Sequence, residues 1–398
     1  MGINGKREYL QAILERYHKG TKKHKCKILD EFCAVCEYNR KYAIQLLNGR
    51  QTKRHRLRKQ LRGRPKKYTD PILLTVLQQI WIAMNLPCSK RLKAALPLWL
   101  PFYALHFRAA INPKQYALLL SISPATIDRL MVPLRSSARK QGLCTTKPGS
   151  LLKRHVPIST DQWDVTCPGF LEADTVAHCG ASTEGMFVFT VNCIDLATSW
   201  REQRAVWGKG ERNVLLALQD IERSLPFPLL GFDCDNGSEF LNWSILKYFT
   251  HRKRPVQYTR SRPYHKNDNA HIEEKNWTLV RQYIGYQRLA KPSLADQLNE
   301  LYRSQWRLLM NFFIPSTKLI KKERQGSKII KVYDPPQTPF QRLIQSSVLS
   351  RKIKNDLQNV YASLNPFLLQ QQIAKEIKAL LAQADPLPRY IAKDPPSS

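Results

Sequence analysis

Three carboxylates stand in settings that do not ordinarily hold one, and they are the residues of this sequence best placed to do chemistry. Asp174 interrupts the largely apolar strand Phe170-Leu171-Glu172-Ala173-Asp174-Thr175-Val176-Ala177, and a carboxylate inside a buried strand is costly unless something positive compensates it. Asp235 follows the short apolar run Pro226 to Phe232 and leads into the turn dipeptide Asn236-Gly237. Glu273, with Glu274 beside it, falls in the first turn of a helix whose apolar positions are Ile272, Trp277, Val280 and Ile284. Helix N-termini favour acids, so plain capping is open to these two. For Asp174 the compensating charge is either a basic side chain, the nearest downstream being Arg201, or a bound metal cation. Hard oxygen ligands, few in number and completed by water, suit Mg²⁺.

The three acids and their surroundings resemble the DDE transposase and retroviral integrase superfamily. The resemblance lies in Leu171-Glu172-Ala173-Asp174-Thr175-Val176, in Asp235-Asn236-Gly237-Ser238-Glu239-Phe240 and in Asn267-Asp268-Asn269-Ala270-His271-Ile272-Glu273. Ile194-Asp195-Leu196-Ala197-Thr198-Ser199-Trp200 and Thr259-Arg260-Ser261-Arg262-Pro263-Tyr264 are similar to transposases of bacterial insertion sequences in particular. The core likeness runs from Gln162 to Leu289, and a weaker one extends to both ends. It implies a ribonuclease-H-like catalytic core and metal-dependent nicking and strand transfer at the ends of a mobile element. Two ions, Mg²⁺ or Mn²⁺, sit about 3.5–4 Å apart in such sites. Asp174 is expected to bridge them, with Asp235 and Glu273 each holding one. Between Asp235 and Glu273 the interval is slightly longer than the retroviral one, so Glu274 competes for the third position. Ala270, three residues before Glu273, matches the family's small residue and favours Glu273.

The elements that must position these acids read as a strand at Phe170 to Val176, a strand at Met186 to Cys193, another near Ser199 to Val206, and a helix from Glu211 to Arg223. Then come the strand ending at Asp235, a helix near Ser238 to Tyr248, the helix carrying Glu273, and a long helix from Leu294 to Phe313. The fold class is therefore α/β, a mixed sheet flanked by helices, preceded by helical helix-turn-helix domains and followed by a small β-containing region. That region is a hairpin around Gly326 with a basic face. Tyr333 to Leu343 resembles a C-terminal segment of the insertion-sequence group, with no chemical role attached.

Charge says what the partner is. The chain has 398 residues, a formal charge of +33 and a pI near 10, which points to a polyanion. Residues 1–68 carry 20 Lys and Arg against five Asp and Glu, so this end is expected to touch double-stranded DNA. Within it, Lys25 to Cys36 and Glu37 to Leu47 read as two helices of a helix-turn-helix, with Arg40 and Lys41 on the recognition member; a plain helical hairpin is the alternative. Arg62-Gly63-Arg64-Pro65 resembles an AT-hook, in which Arg62 and Arg64 enter a narrow minor groove. Ser121 to Leu130 looks like a second turn and recognition helix, Ser123 capping and Pro124 opening it. Thr126 and Arg129 then face DNA while Ile127 and Leu130 face the core. Lys275, Asn276 and Arg281 are candidates for contact with donor DNA. From Asp161 to Asp235 the balance inverts to 12 acids against five bases, as suits a site that gathers cations.

These readings give a helix-turn-helix domain at 1–52, a basic arm at 53–68, a second helical DNA-binding domain at 69–140 and a linker at 141–158. The catalytic core follows at 159–290, a helical and hairpin region at 291–385 and a Pro-rich, disordered tail at 386–398. Nine scattered Cys, an odd number, argue for reduced thiols; Cys33 and Cys36 read as small buried residues in a helical turn rather than half a zinc site. No apolar run is long enough to span a bilayer and the N-terminus lacks a signal peptide's apolar stretch. The expectation is a cytoplasmic, nucleoid-associated bacterial protein working as a homodimer or larger synaptic complex, without a membrane partner. A nuclease on the same fold, a domesticated non-catalytic DNA binder and a structural nucleic-acid protein are the rival classes. Divalent-metal dependence separates catalysis from binding, which should depend on salt alone.

Overall fold

The computed structural model describes residues 1–48, 67–135, 165–260, 276–325 and 328–385, and divides the chain into two units, Met1–Lys67 and Tyr68–Ser398. Residues 53–66 of the basic arm, with Arg62 and Arg64, the residues 141–158 and the tail from 386 all lie outside the described residues. In the first unit α1 (Ile3–Lys19), α2 (Lys22–Cys36) and α3 (Arg40–Leu47) pack around Ile13, Tyr17, Ile28, Leu29, Phe32, Cys36, Ala43 and Leu47. Asn39 starts α3 by accepting from the Lys41 amide at 3.0 Å, one of the orphan donors every helix start leaves. Cys36 is buried and Cys33 packs beside that core.

The second unit opens with α4 (Pro71–Ala83), α5 (Ser89–Phe107), α6 (Pro113–Ser121) and α7 (Pro124–Arg135). Asp70 caps α4 through the Ile72 amide at 2.9 Å; a capping box of Asn112 and Gln115 starts α6. Ser123 receives the Thr126 amide at 3.2 Å, the cap its place before Pro124 leads one to expect. The axes of α6 and α7 meet at 101°. Leu92, Leu96 and Trp99 of α5 and Ile127 and Met131 of α7 share one apolar core with the sheet described next.

That sheet holds β1 (Phe170–Ala177), β2 (Val188–Asp195), β3 (Arg201–Trp207), β4 (Gly231–Cys234) and β5 (Gln257–Arg260) in the order β3-β2-β1-β4-β5. β1, β2 and β3 form an antiparallel meander, whereas β4 runs parallel to β1 and β5 parallel to β4. The parallel members need crossovers, supplied by α8 (Glu211–Ser224) and α9 (Trp243–Thr250). Every residue of β2 is buried, as expected of a sheet covered on both faces. The expected α/β class, a mixed sheet flanked by helices, is what the chain adopts.

Several boundaries move for identifiable reasons. β4 is shorter than the apolar run before Asp235, because Pro226 and Pro228 bring no amide donor to a ladder; Phe227 and Leu229 are nonetheless buried. The expected helix near Ser238 begins only at Trp243, where Asn242 accepts from the Ile245 amide at 3.0 Å. After a π-helical turn Asn276–Arg281 and α10 (Gln282–Ile284), the long helix expected over Leu294 to Phe313 becomes α11 (Pro292–Leu301), a π-turn Tyr302–Trp306 and α12 (Arg307–Phe312). Ser304, at φ −109° and ψ −110°, breaks it, and its hydroxyl donates to the Glu300 carbonyl at 2.6 Å.

The hairpin appears as β6 (Leu319–Gln325) and β7 (Lys328–Tyr333), followed by α13 (Pro339–Gln345), α14 (Arg351–Ala362) and α15 (Pro366–Leu381). The segment from Tyr333 to Leu343 has a structural job. Thr338 and Gln341 form the capping box of α13. Buried Arg342 donates to the Ser316 carbonyl (2.6 Å), the Gln337 carbonyl (3.0 Å) and the Asp334 carboxylate (2.9 Å), which ties the base of the hairpin to α13.

Candidate active site

Asp174 and Asp235 are brought together by the sheet. β1 and β4 are parallel neighbours with Ala173 opposite Cys234, so the next residue of each chain is one of the two acids. Both are partly buried. Burial first, and Asp235 next to it second, push the Asp174 carboxyl up to about 7. Burial likewise pushes Asp235 up to about 6, against a 2.9 Å hydrogen bond from the Gly237 amide. Asp233, two residues before, has a different partner: it is buried and accepts from the Thr259 hydroxyl at 2.5 Å.

A third carboxylate lies close. Glu239 is buried and accepts from the Thr175 hydroxyl at 3.1 Å and from the Lys209 ammonium at 3.2 Å. Its carboxylate and that of Asp235 converge over Gly237, where an added Cβ would stand 2.8 Å from Glu239 Oε2 and 2.9 Å from Asp235 Oδ1. Only glycine allows that approach. Sequence reading passed over Glu239 and Lys209, although Glu239 lies inside the Asp235 motif and was legible there.

Asp174 is held on both oxygens. Oδ1 accepts from the Thr175 amide at 2.7 Å and Oδ2 from the Asn276 side-chain amide at 2.5 Å. Asn276, a candidate for contact with donor DNA, gives its side-chain amide to this acid. Glu273, Glu274 and Lys275 lie outside the described residues. Arg281 donates to the Ala177 carbonyl at 2.6 Å and lies over the Tyr286 ring, 4.9 Å from its centre. Thr126 and the exposed Arg129 sit on one side of α7, with Ile127 fully buried and Leu130 packed on the core. Lys41 is exposed at the start of α3, and Arg40 beside it pairs with Asp30 of α2.

The donor chemistry suits a divalent cation. Among the described residues no Lys or Arg lies at ion-pairing distance from Asp174 or Asp235; Lys209, whose field reaches Asp235, is paired with Glu239. Two crowded carboxylates, each raised by burial, are the oxygen set Mg²⁺ takes. No group of three or more His, Cys, Asp or Glu gathers as a metal cluster among the described residues. The Asp195 motif builds structure: its buried carboxylate accepts from the amides of Gly169 (2.7 Å) and Thr198 (2.7 Å) and from the Thr198 hydroxyl (2.6 Å), closing the β2–β3 turn.

Near the site, β1 runs into fully buried His178, whose Nε2 shares a 2.8 Å hydrogen bond with Thr190, itself bonded to Tyr302 at 3.0 Å. Its Nδ1 meets no partner among the described residues. Burial, then the charge of Arg281, lowers its pKa to about 3. A base that stays neutral when folded is protonated preferentially in the unfolded chain. Its stabilising share is therefore complete above about pH 6.5 and is lost as pH falls toward 3, reaching about 3 kcal/mol at pH 4. Urea unfolding of wild type and His178→Gln at pH 7 and pH 4 checks this. The variant should lose less stability on acidification, and equal losses would rule out His178 as the cause.

No family model matches the chain. Among solved structures, it is similar to the intasome of simian T-cell lymphotropic virus in complex with PP2A regulatory subunit B56 gamma: 10% identity, 62% of this chain, 75% of that one and a TM-score of 0.32. It is also similar to the catalytic core domain of BIV integrase, at 16% identity over 44% of this chain and 94% of that one, with a TM-score of 0.26. No single described helix is long and apolar enough to cross a membrane. In sequence it is 38% identical over 336 residues to a protein of Sinorhizobium fredii (strain NBRC 101917 / NGR234), across 84% of this chain and 94% of the other. The chain belongs to the family of that rhizobial protein, uncharacterized protein y4rM.

Proposed function

We propose that the protein is a DDE-type DNA transposase with a ribonuclease-H-like core, which nicks the ends of a mobile element and joins them to target DNA. The observation that carries this is the meeting of Asp174, in the middle of β1, with Asp235, just past the end of the parallel neighbour β4, both partly exposed and without a basic partner among the described residues. The strand order, an antiparallel meander extended by parallel strands, supports it. Asp174, Asp235 and a third acid, Glu273 or Glu274, would hold two Mg²⁺ or Mn²⁺ ions, which would supply Lewis-acid activation of the attacking oxygen and neutralisation of the leaving one.

In the first step water attacks a phosphodiester at the element's end, the bond to the 3′ oxygen breaks, and that oxygen takes a proton to become a free hydroxyl. In the second step this hydroxyl attacks a target phosphodiester and displaces its 3′ oxygen. In this second step one phosphodiester forms for the one that breaks, so joining needs no energy source. Asn276 and the Thr175 amide orient Asp174, while Gly237 lets the Asp235 turn close against Glu239.

DNA is gripped by residues other than the acids. Helices α6 and α7, joined by two residues at 101°, have the angle of a helix-turn-helix, with Thr126 and Arg129 toward the duplex. Unit 1 adds Arg40 and Lys41 of α3, and the arm adds Arg62 and Arg64. Pairing two ends calls for a homodimer or larger synaptic assembly. The test is a strand-transfer assay with purified protein, a labelled duplex carrying the flanking element end, a plasmid target and Mg²⁺ or Mn²⁺. Label joined to the plasmid only with metal supports the reading. Nicking without joining makes the protein a nuclease, and binding without either makes it a regulator.

A further inference from the structure

We propose that Gln203 and Asn192, neither of which touches the acidic pair, are positioning residues that set the direction in which Asn276 presents its amide to Asp174. The proposal rests on the reading of Asp174 and Asp235 as metal-holding acids. Asp174 on β1 lies opposite Asn192 on β2, and Asn192 opposite Gln203 on β3, so the three side chains share one face of the sheet. Gln203 Nε2 donates to Asn192 Oδ1 at 2.9 Å, Asn192 Nδ2 donates to Asn276 Oδ1 at 2.9 Å, and Asn276 Nδ2 donates to Asp174 Oδ2 at 2.5 Å. Every bond points the same way.

That order has a consequence for the acid. A primary amide has a donating and an accepting end; an acceptor-only carboxylate favours the donating end, and a donor bound to the amide oxygen holds it there. Asn276 is so held, because Asn192 occupies its oxygen, and Asn192 is fixed in turn by Gln203. Asn192 is fully buried and Gln203 is 1% exposed, so water cannot replace either bond, and a buried amide that loses its partner is costly. Reversing the chain sets a carbonyl oxygen against Asp174. The sheet's far edge therefore decides whether Asp174 keeps the donor that holds Oδ2. The same chain fixes the start of the π-turn Asn276–Arg281 to β1 and β2.

The test reads metal affinity as well as activity. Gln203→Glu offers only acceptors at pH 8, so the chain reverses; Gln203→Met removes the donor without imposing a direction. Mn²⁺ binding is measured by calorimetry on each variant, with urea unfolding to confirm folding and strand transfer alongside. Gln203→Glu is expected to weaken Mn²⁺ about tenfold, the low end of what losing a group behind a metal ligand costs, and Gln203→Met about threefold. In an Asn276→Leu background, where the chain is cut, Gln203→Glu and Gln203→Met should add nothing further, the non-additivity of residues acting through one network. If Gln203→Glu, or Gln203→Met should the Glu variant not fold, leaves Mn²⁺ affinity unchanged or lowers it equally in both backgrounds, the positioning role is wrong. Wild type that binds Mn²⁺ through Asp235 while ignoring Gln203 overturns this proposal alone. Wild type that binds no Mn²⁺, or binds it unaltered by Asp235→Asn, overturns the metal-holding reading and the positioning role with it.

Discussion

Asp235→Asn is expected to lower strand transfer by about three orders of magnitude while leaving affinity for the element end within twofold of wild type. Activation of the attacking oxygen and neutralisation of the leaving oxygen are worth several kcal/mol in such sites, and about 4 kcal/mol corresponds to that loss of rate. The side chain keeps its shape and can still accept from the Gly237 amide, so the fold around the turn should survive. A second effect has the opposite sign. Asp235 raises Asp174 by its charge, and removing that repulsion should raise the melting temperature of the metal-free protein. The increase that Mn²⁺ gives to wild type should shrink. Joining above about a tenth of the wild-type rate would remove Asp235 from the catalytic set. A DNA affinity resting on the formal charge of +33 should fall with salt in both proteins alike.

The acids were legible because each broke a local rule. Asp174 stood in an apolar strand, and Asp235 ended another run at a turn; in the fold Asp174, mid-way along β1, faces Asp235 just past the end of β4. The strands themselves were marked by apolar runs, and β1, β2 and β3 lie within two residues or so of the expected places. What was hidden depends on contacts between distant residues. Asn276 looks like a polar helix residue, yet its partner is 102 positions away. Asn192 and Gln203 read as unremarkable polar positions in strands, and only the register that aligns them with Asp174 gives them a role. Arg342 appeared in a segment without any assigned chemistry, because the carbonyls it gathers at Ser316 and Gln337 are invisible until the chain folds. The long helix after residue 291 had good apolar periodicity throughout, and its interruption at Ser304 turns on one hydroxyl bonding back to the chain.

Asn311→Leu is expected to cost roughly 3 to 5 kcal/mol and to make the protein prone to self-association, although the change is close to volume-conserving and apolar. β3 is an edge of the five-stranded sheet, and an edge strand exposes a row of unpaired amides and carbonyls that invites pairing with another chain. Two Asn side chains close it. Asn311 of α12 accepts from the Arg201 amide at 2.9 Å and donates to the Arg201 carbonyl at 2.9 Å. Asn299 of α11 does the same for Ala205, at 2.8 Å in both directions. Each side-chain amide thus substitutes for one residue of a sixth strand, and the two lie four residues apart along β3. Asn311 is fully buried, so Leu there strands two backbone groups at about 1–3 kcal/mol each. Asn299 is only partly buried, water can reach the exposed groups, and Asn299→Leu should cost about half as much. Asn311→Asp keeps the acceptor for the amide but sets a carboxylate against the Arg201 carbonyl, so it should retain part of the stability in proportion. Urea midpoints and light scattering of the three variants decide the matter. Wild-type stability and no added scattering for Asn311→Leu would mean that the neighbouring helices, not these amides, protect the edge.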